Sequence, residues 1–140
     1  MIDSNSKTDN PNIPPFGIEW IIDASGCCAD RLRDLAIVRR VCERVLFDLD
    51  LKVVGEPQWH QFSGAAGVTG LYLLSESHLA CHTYPEHQFA SFNLYCCRAK
   101  PDWPWENGLR TALLASSISI RQAKRGLDAA CLADSVEAAR

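Results

Sequence analysis

The run from Gly67 to Cys97, GVTGLYLLSESHLACHTYPEHQFASFNLYCC, governs how the chain is read. Its two ends are apolar and rich in strand-forming residues. Residues 67–76, GVTGLYLLSE, and 88–97, QFASFNLYCC, each read as a β-strand. Between them, Ser75 to His87 packs three His, two Glu, two Ser and a Cys into thirteen residues. That density of proton-carrying and nucleophilic groups is more than a plain turn requires.

Working outward, residues 17–24, GIEWIIDA, predict a strand closed by Ser25-Gly26. Residues 30–49 predict a helix. Leu32, Leu35, Val38, Cys42, Val45, Leu46 and Leu49 recur at three- and four-residue steps, with Arg and acidic residues on the opposite face. Residues 51–60 read as a further strand, followed by a Gly-containing turn at 63–67. KPDWPW at 100–105 breaks the chain. A second helix is expected from Glu106 to Arg125, with Gly126 as its stop. The Ala-rich tail beyond it predicts a weak helix. Consecutive, short-linked strands favour antiparallel pairing. The expected fold is therefore α/β in the α+β sense, a two-layer sandwich. A four-stranded, mainly antiparallel sheet carries two helices on one face. The bare face then needs a function or a second copy of the chain.

The 140 residues suit one domain. The division expected is a disordered, Pro-rich lead over 1–16, a folded domain over 17–126, and a tail over 127–140. A net charge of -3 gives no broad attraction to nucleic acid or to acidic membrane surfaces. No apolar run approaches the roughly 20 residues that span a bilayer. The polar N-terminus lacks the apolar core of a signal peptide, so a cytoplasmic protein is expected. The seven Cys (27, 28, 42, 81, 96, 97 and 131) then read as reduced thiols, most of them small core residues.

Three chemistries suit the segment 75–87. His78 and His82 stand four apart, but Pro85 and the β-like flanks oppose the helix that a paired-His zinc site needs, and Cys-x2-Cys is absent. No metal is expected. A hydrolytic triad lacks the Gly-x-Ser-x-Gly elbow. In the third chemistry the chain acts on itself. A Ser hydroxyl beside its own preceding carbonyl can attack it, given strain, an oxyanion donor and a base. Elimination from the resulting ester, then hydrolysis, leaves a pyruvoyl group. Residue types alone leave this route and a simple polar turn both open.

The pattern of residues adds a resemblance. GVTG (67–70), ESHLACHTYPE (76–86) and the distal Cys pair (96–97) resemble the bacterial-type S-adenosylmethionine decarboxylase proenzymes, which are pyruvoyl-dependent. Their pattern runs Gly-Val-Ser/Thr-Gly, Glu-Ser-His-x-x-x-His-Thr-aromatic-Pro-Glu, then a strand ending in Cys. The likeness spans about residues 17–126. It implies cleavage between Glu76 and Ser77, with Ser77 becoming the pyruvoyl cofactor. It further implies His82 as the base of processing, Thr69 as a hydroxyl that steadies the processing intermediate, and Cys97 as the acid that protonates the substrate carbon. Glu86 would bind a ribose, with Phe62, Tyr84, Trp103 and Trp105 as candidate aromatic contacts. The implied activity is decarboxylation of S-adenosylmethionine for spermidine synthesis, in a homodimer of cleaved protomers. The alternatives are a pyruvoyl-dependent ornithine or arginine decarboxylase and an inactive regulatory homologue.

Strand alternation gives Thr69, Leu71, Leu73, Ser75 and Ser77 one face if the strand stays regular. It gives Cys97 the face of Ser91 and Asn93, and it puts Cys96 in the core. The chain departs from the family pattern in three places. Asn93 stands where Asp is common, Arg98 where Gly is common, and the 62–67 turn is one residue longer.

Overall fold

The computed structural model describes residues 16–126. The expected lead over residues 1–16, apart from Phe16, and the expected tail helix from 127 lie outside that span. Six strands form one antiparallel sheet: β1 (Gly17–Ser25), β2 (Gln58–Gln61), β3 (Val68–Leu74), β4 (Ser77–Tyr84), β5 (Phe89–Cys96) and β6 (Ser117–Arg125). Their order across the sheet is β2-β3-β4-β5-β1-β6. Three helices, α1 (Ala29–Leu32), α2 (Leu35–Asp48) and α3 (Trp105–Leu113), share one core with the sheet. The α+β sandwich is as expected. The sheet has six strands rather than four.

Both extra strands come from segments with a period-2 pattern. In β4, Leu79, Cys81 and Thr83 are buried, while His78, Ala80 and His82 are partly exposed. The polar stretch after Glu76 is thus a central strand and not a loop. It ends in a 3-10 turn, Pro85–His87. In the expected 106–125 helix, α3 stops at Leu113. Leu114 turns left-handed, with φ of 55°. The guanidinium of Arg110 donates to the carbonyls of Ala115 and Ser116 at 3.4 and 3.0 Å, closing the helix end. The following Ser-Ile-Ser-Ile then pairs with β1 as an edge strand. The 30–49 helix is broken at Arg33-Asp34. Asp34 Oδ1 accepts from the backbone N–H groups of Ala36 and Ile37 at 3.0 and 3.3 Å, a side-chain cap that starts α2. The 51–60 strand shrinks to β2 plus an isolated bridge between Val53 and Leu74.

Alternation determines which face each strand buries. Trp20, Ile22 and Ala24 of β1 pair with Leu94, Phe92 and Ala90 of β5 beneath α2 and α3. Trp103 and Trp105 stack edge-on at 5.0 Å and close this core, so neither reaches the opposite face. Thr83 is the one buried polar side chain among the described residues. Its hydroxyl donates to the carbonyl of Leu32 (2.9 Å) and accepts from the N–H of Val68 (3.0 Å), tying α1, β3 and β4 together. Thr83→Val keeps the shape and orphans that N–H. It should lower unfolding stability by about 1–3 kcal/mol, read by urea denaturation.

Candidate active site

The face of the sheet away from the helices carries Thr69, Leu71 and Leu73 from β3, then His78 and His82 from β4. Beside them lie Ser91, Asn93 and Tyr95 from β5, and Glu19, Ile21 and Asp23 from β1. These residues are partly or fully exposed. Leu73 is 60% exposed and Leu71 47%, an apolar exposure that a bare sheet face rarely leaves uncovered.

At one end of this face lies the Glu76-Ser77 peptide. β3 stops at Leu74, not at 76, and Ser77 opens the next strand, opposite Leu74 and Cys96. The expected continuation of the Thr69 face through Ser75 to Ser77 therefore fails, because the chain reverses at Ser75-Glu76. Ser77 has φ of +139°, a region that a side chain makes costly, by about 1–3 kcal/mol. The carbonyl of Glu76 accepts a hydrogen bond from the backbone N–H of Cys97 at 2.8 Å. A fixed donor thus points at the oxygen that gains charge if Ser77 attacks that carbonyl. Ser77 Oγ lies 3.0 Å from His78 Nδ1. One carboxylate oxygen of Glu76, Oε2, is buried with no hydrogen-bond partner among the described residues.

The two thiols at the end of β5 divide as alternation predicts for Cys96. It is fully buried, and burial followed by the nearby Glu76 charge pushes its thiol up to about 11. Cys97 lies just past the strand and is exposed. Asn93 Nδ2 donates to Glu19 Oε1 at 2.7 Å, and Arg125 meets Glu19 Oε2 at 3.1 Å. The Asn93 hydrogen bond leads, against partial burial and with help from Arg125, in holding the Glu19 carboxyl below its usual range. Glu19 was not among the residues singled out in the sequence. Its signal was an acid at an outward position of the largely apolar GIEWIIDA strand, shared only with Asp23. Arg98 is exposed beyond β5.

The other end of the face holds the remaining candidates. Thr69 pairs with His82 across β3 and β4, and Thr69 Oγ1 meets His82 Nδ1 at 2.5 Å. Phe62 sits edge-on to the His82 ring at 5.5 Å, and the Tyr84 ring lies 4.3 Å from it. The longer 62–67 turn therefore still delivers Phe62 to this cluster. Glu86 is exposed in the 3-10 turn just beyond Tyr84. Ser77 and His82 are not brought together. They are the first and sixth residues of β4, about 16 Å apart at a rise of roughly 3.3 Å per residue.

Comparison with known proteins covers nearly all of the described span. The sequence profile of the S-adenosylmethionine decarboxylase family matches residues 18–126. The chain is 35% identical over 117 residues to S-adenosylmethionine decarboxylase proenzyme 2 of Halalkalibacterium halodurans, covering 80% of this chain and 87% of that protein. It is 34% identical to the proenzyme of Caldicellulosiruptor saccharolyticus, over 80% of this chain and 90% of the relative. The crystal structure of the adenosylmethionine decarboxylase from Aquifex aeolicus superposes with a TM-score of 0.67 at 26% identity, covering 81% of this chain and 93% of the other. The profile match and the breadth of these identities agree with the sheet and site already described: the chain belongs to the S-adenosylmethionine decarboxylase family.

Proposed function

We propose that the chain cuts itself between Glu76 and Ser77 and then decarboxylates S-adenosylmethionine on a pyruvoyl group made from Ser77. The observation that carries this reading is the state of the Glu76-Ser77 peptide. It has a strained Ser φ, a carbonyl already held by the Cys97 N–H, and a hydroxyl that can close a five-membered ring on that carbonyl. Once present, the pyruvoyl ketone supplies an electron sink for the carboxyl group's departing electrons. The chain's own residues do the rest. Cys97, exposed at the end of β5, stands beside Ser77 and can deliver a proton to the substrate carbon. Phe62 and Tyr84 offer flat faces for an adenine, and Glu86 a carboxylate for a ribose diol.

The two halves of this machinery sit at opposite ends of one sheet face, so a homodimer is part of the reading. If two protomers pack these faces together about a two-fold axis, the Thr69–His82–Phe62–Tyr84 end of one lies over the Glu76-Ser77-Cys97 end of its partner. Exposed Leu71 and Leu73 gain cover, and a donor from the partner can satisfy Glu76 Oε2. His82 then reaches the Ser77 α-proton across the interface, where within one chain it cannot.

The substrate assignment is tested by carbon dioxide release from S-adenosylmethionine, ornithine and arginine, assayed side by side. Release from S-adenosylmethionine alone is expected, and Glu86→Gln should raise KM with a smaller effect on kcat. Release from ornithine or arginine, with none from S-adenosylmethionine, overturns the substrate and leaves the cofactor chemistry intact.

A further inference from the structure

Side chains that neighbour one another on a regular strand point to opposite faces. Ser77 and His78 break that rule: Ser77 Oγ and His78 Nδ1 are 3.0 Å apart. The alternation fails at the residue whose φ is +139°, which turns Ser77 toward the face that His78 occupies. We propose that His78 is the base that takes the Ser77 hydroxyl proton in the first step of self-cleavage, acting within its own chain. This deepens the self-processing reading and rests on it.

The surroundings of His78 hold its ring in place. The ring lies 5.7 Å from that of Tyr95, its cross-strand neighbour on β5. Tyr95 is itself fixed from two sides. It rests against Gly17 so closely that a Cβ there would sit 2.4 Å from the ring, and the Arg125 guanidinium lies 5.8 Å above its centroid. Glu19, also opposite Tyr95, is occupied by Asn93 and Arg125 and is not free to accept a proton from Ser77. His82, the base of the later step, is too far along the same strand to serve Ser77 of its own chain.

The step balances within these groups. Ser77 Oγ bonds to the Glu76 carbonyl carbon while its proton passes to His78 Nδ1, whose ring carries its other proton on Nε2. The oxyanion so formed is held by the Cys97 N–H. The carbon–nitrogen bond then breaks, and the His78 imidazolium returns its proton to the Ser77 nitrogen. An amide has become an ester, with no other reactant. His82 acts only afterwards, on the Ser77 α-proton.

The two bases can be separated in a His82→Ala chain, which stops at the ester and is cut before Ser77 by added hydroxylamine. The rate of that cutting reports the first step alone. With hydroxylamine saturating at each pH, it should fall as the pH is lowered, because an imidazolium accepts no further proton. It should fall on the order of 10²-fold in the His78→Gln/His82→Ala chain. Free imidazole should restore part of the rate to His78→Gly/His82→Ala. An unchanged rate in the Gln variant overturns the role, as does a rate that does not fall on acidification. The pH profile needs only the His82→Ala chain, so it decides the matter even if the His78 variants unfold. A parent chain that never cleaves at 76–77 sinks the self-processing reading instead. A parent that cleaves while His78→Gln/His82→Ala keeps its full rate sinks only the role of His78.

Discussion

Ser77→Ala leaves a single uncut chain with no decarboxylase activity. One hydroxyl is both the nucleophile that opens the Glu76-Ser77 peptide and the source of the ketone on which turnover depends, so its loss removes two steps at once. No neighbouring group can substitute. His78 lacks a hydroxyl to leave as an ester, and Ser75 lies across the turn, on the far side of the scissile carbonyl. The fold should be little changed. Ser77 is half-buried and forfeits one hydrogen bond, to His78, worth about 1 kcal/mol. Alanine at φ +139° is as strained as serine, so the substitution relieves none of the backbone cost. Gel electrophoresis for the cut and carbon dioxide release for turnover read the two losses. A Ser77→Ala protein that still cuts or still turns over places the chemistry elsewhere in the chain.

The second large effect is a rescue. Ser77→Ala and His82→Ala are each expected to be inactive alone, the first uncut and the second stalled at the ester. Co-expressed with different tags and purified as mixed dimers, they should recover activity. The His82→Ala chain contributes Ser77, the Ser77→Ala chain contributes His82, and across a two-fold interface these meet at one of the two sites. The other site carries both defects. The expectation follows from the roughly 16 Å between the two residues along β4, a distance no side chain spans. Mixed dimers that form and remain uncut would show that His82 does not act across the interface.

These two results depend differently on what the sequence makes visible. β1 and β5 were legible because Trp20, Ile22 and Ala24, and Phe92, Leu94 and Cys96, alternate with mostly polar neighbours, Ile21 being the exception in β1. The buried position of Cys96 followed from the same alternation. β4 was harder. Its inward residues include Thr83, which does not look apolar, and its outward His residues draw attention as chemistry rather than as a strand face. With β4 unread, the opposite placement of Ser77 and His82 was invisible, although both residues stood in the motif. β6 was masked because no Gly or Pro interrupts the run from Leu109 to Arg125, so nothing punctuates the expected helix before Gly126. The alternating Ser and Ile of 117–120 and the left-handed Leu114 tell against that helix. The contact between Ser77 and His78 depends on a single backbone angle that no periodicity reports.

Intact-mass measurement of the purified parent protein bears most directly on the self-processing reading. Self-cleavage with pyruvoyl formation predicts two chains, 1–76 and 77–140. The second should be lighter, by the mass of ammonia, than a chain beginning with free serine, and it should be closed to amino-terminal sequencing. A protein that stays at the full 140 residues after long incubation contradicts that reading, and so does one whose second chain begins with an unmodified Ser77.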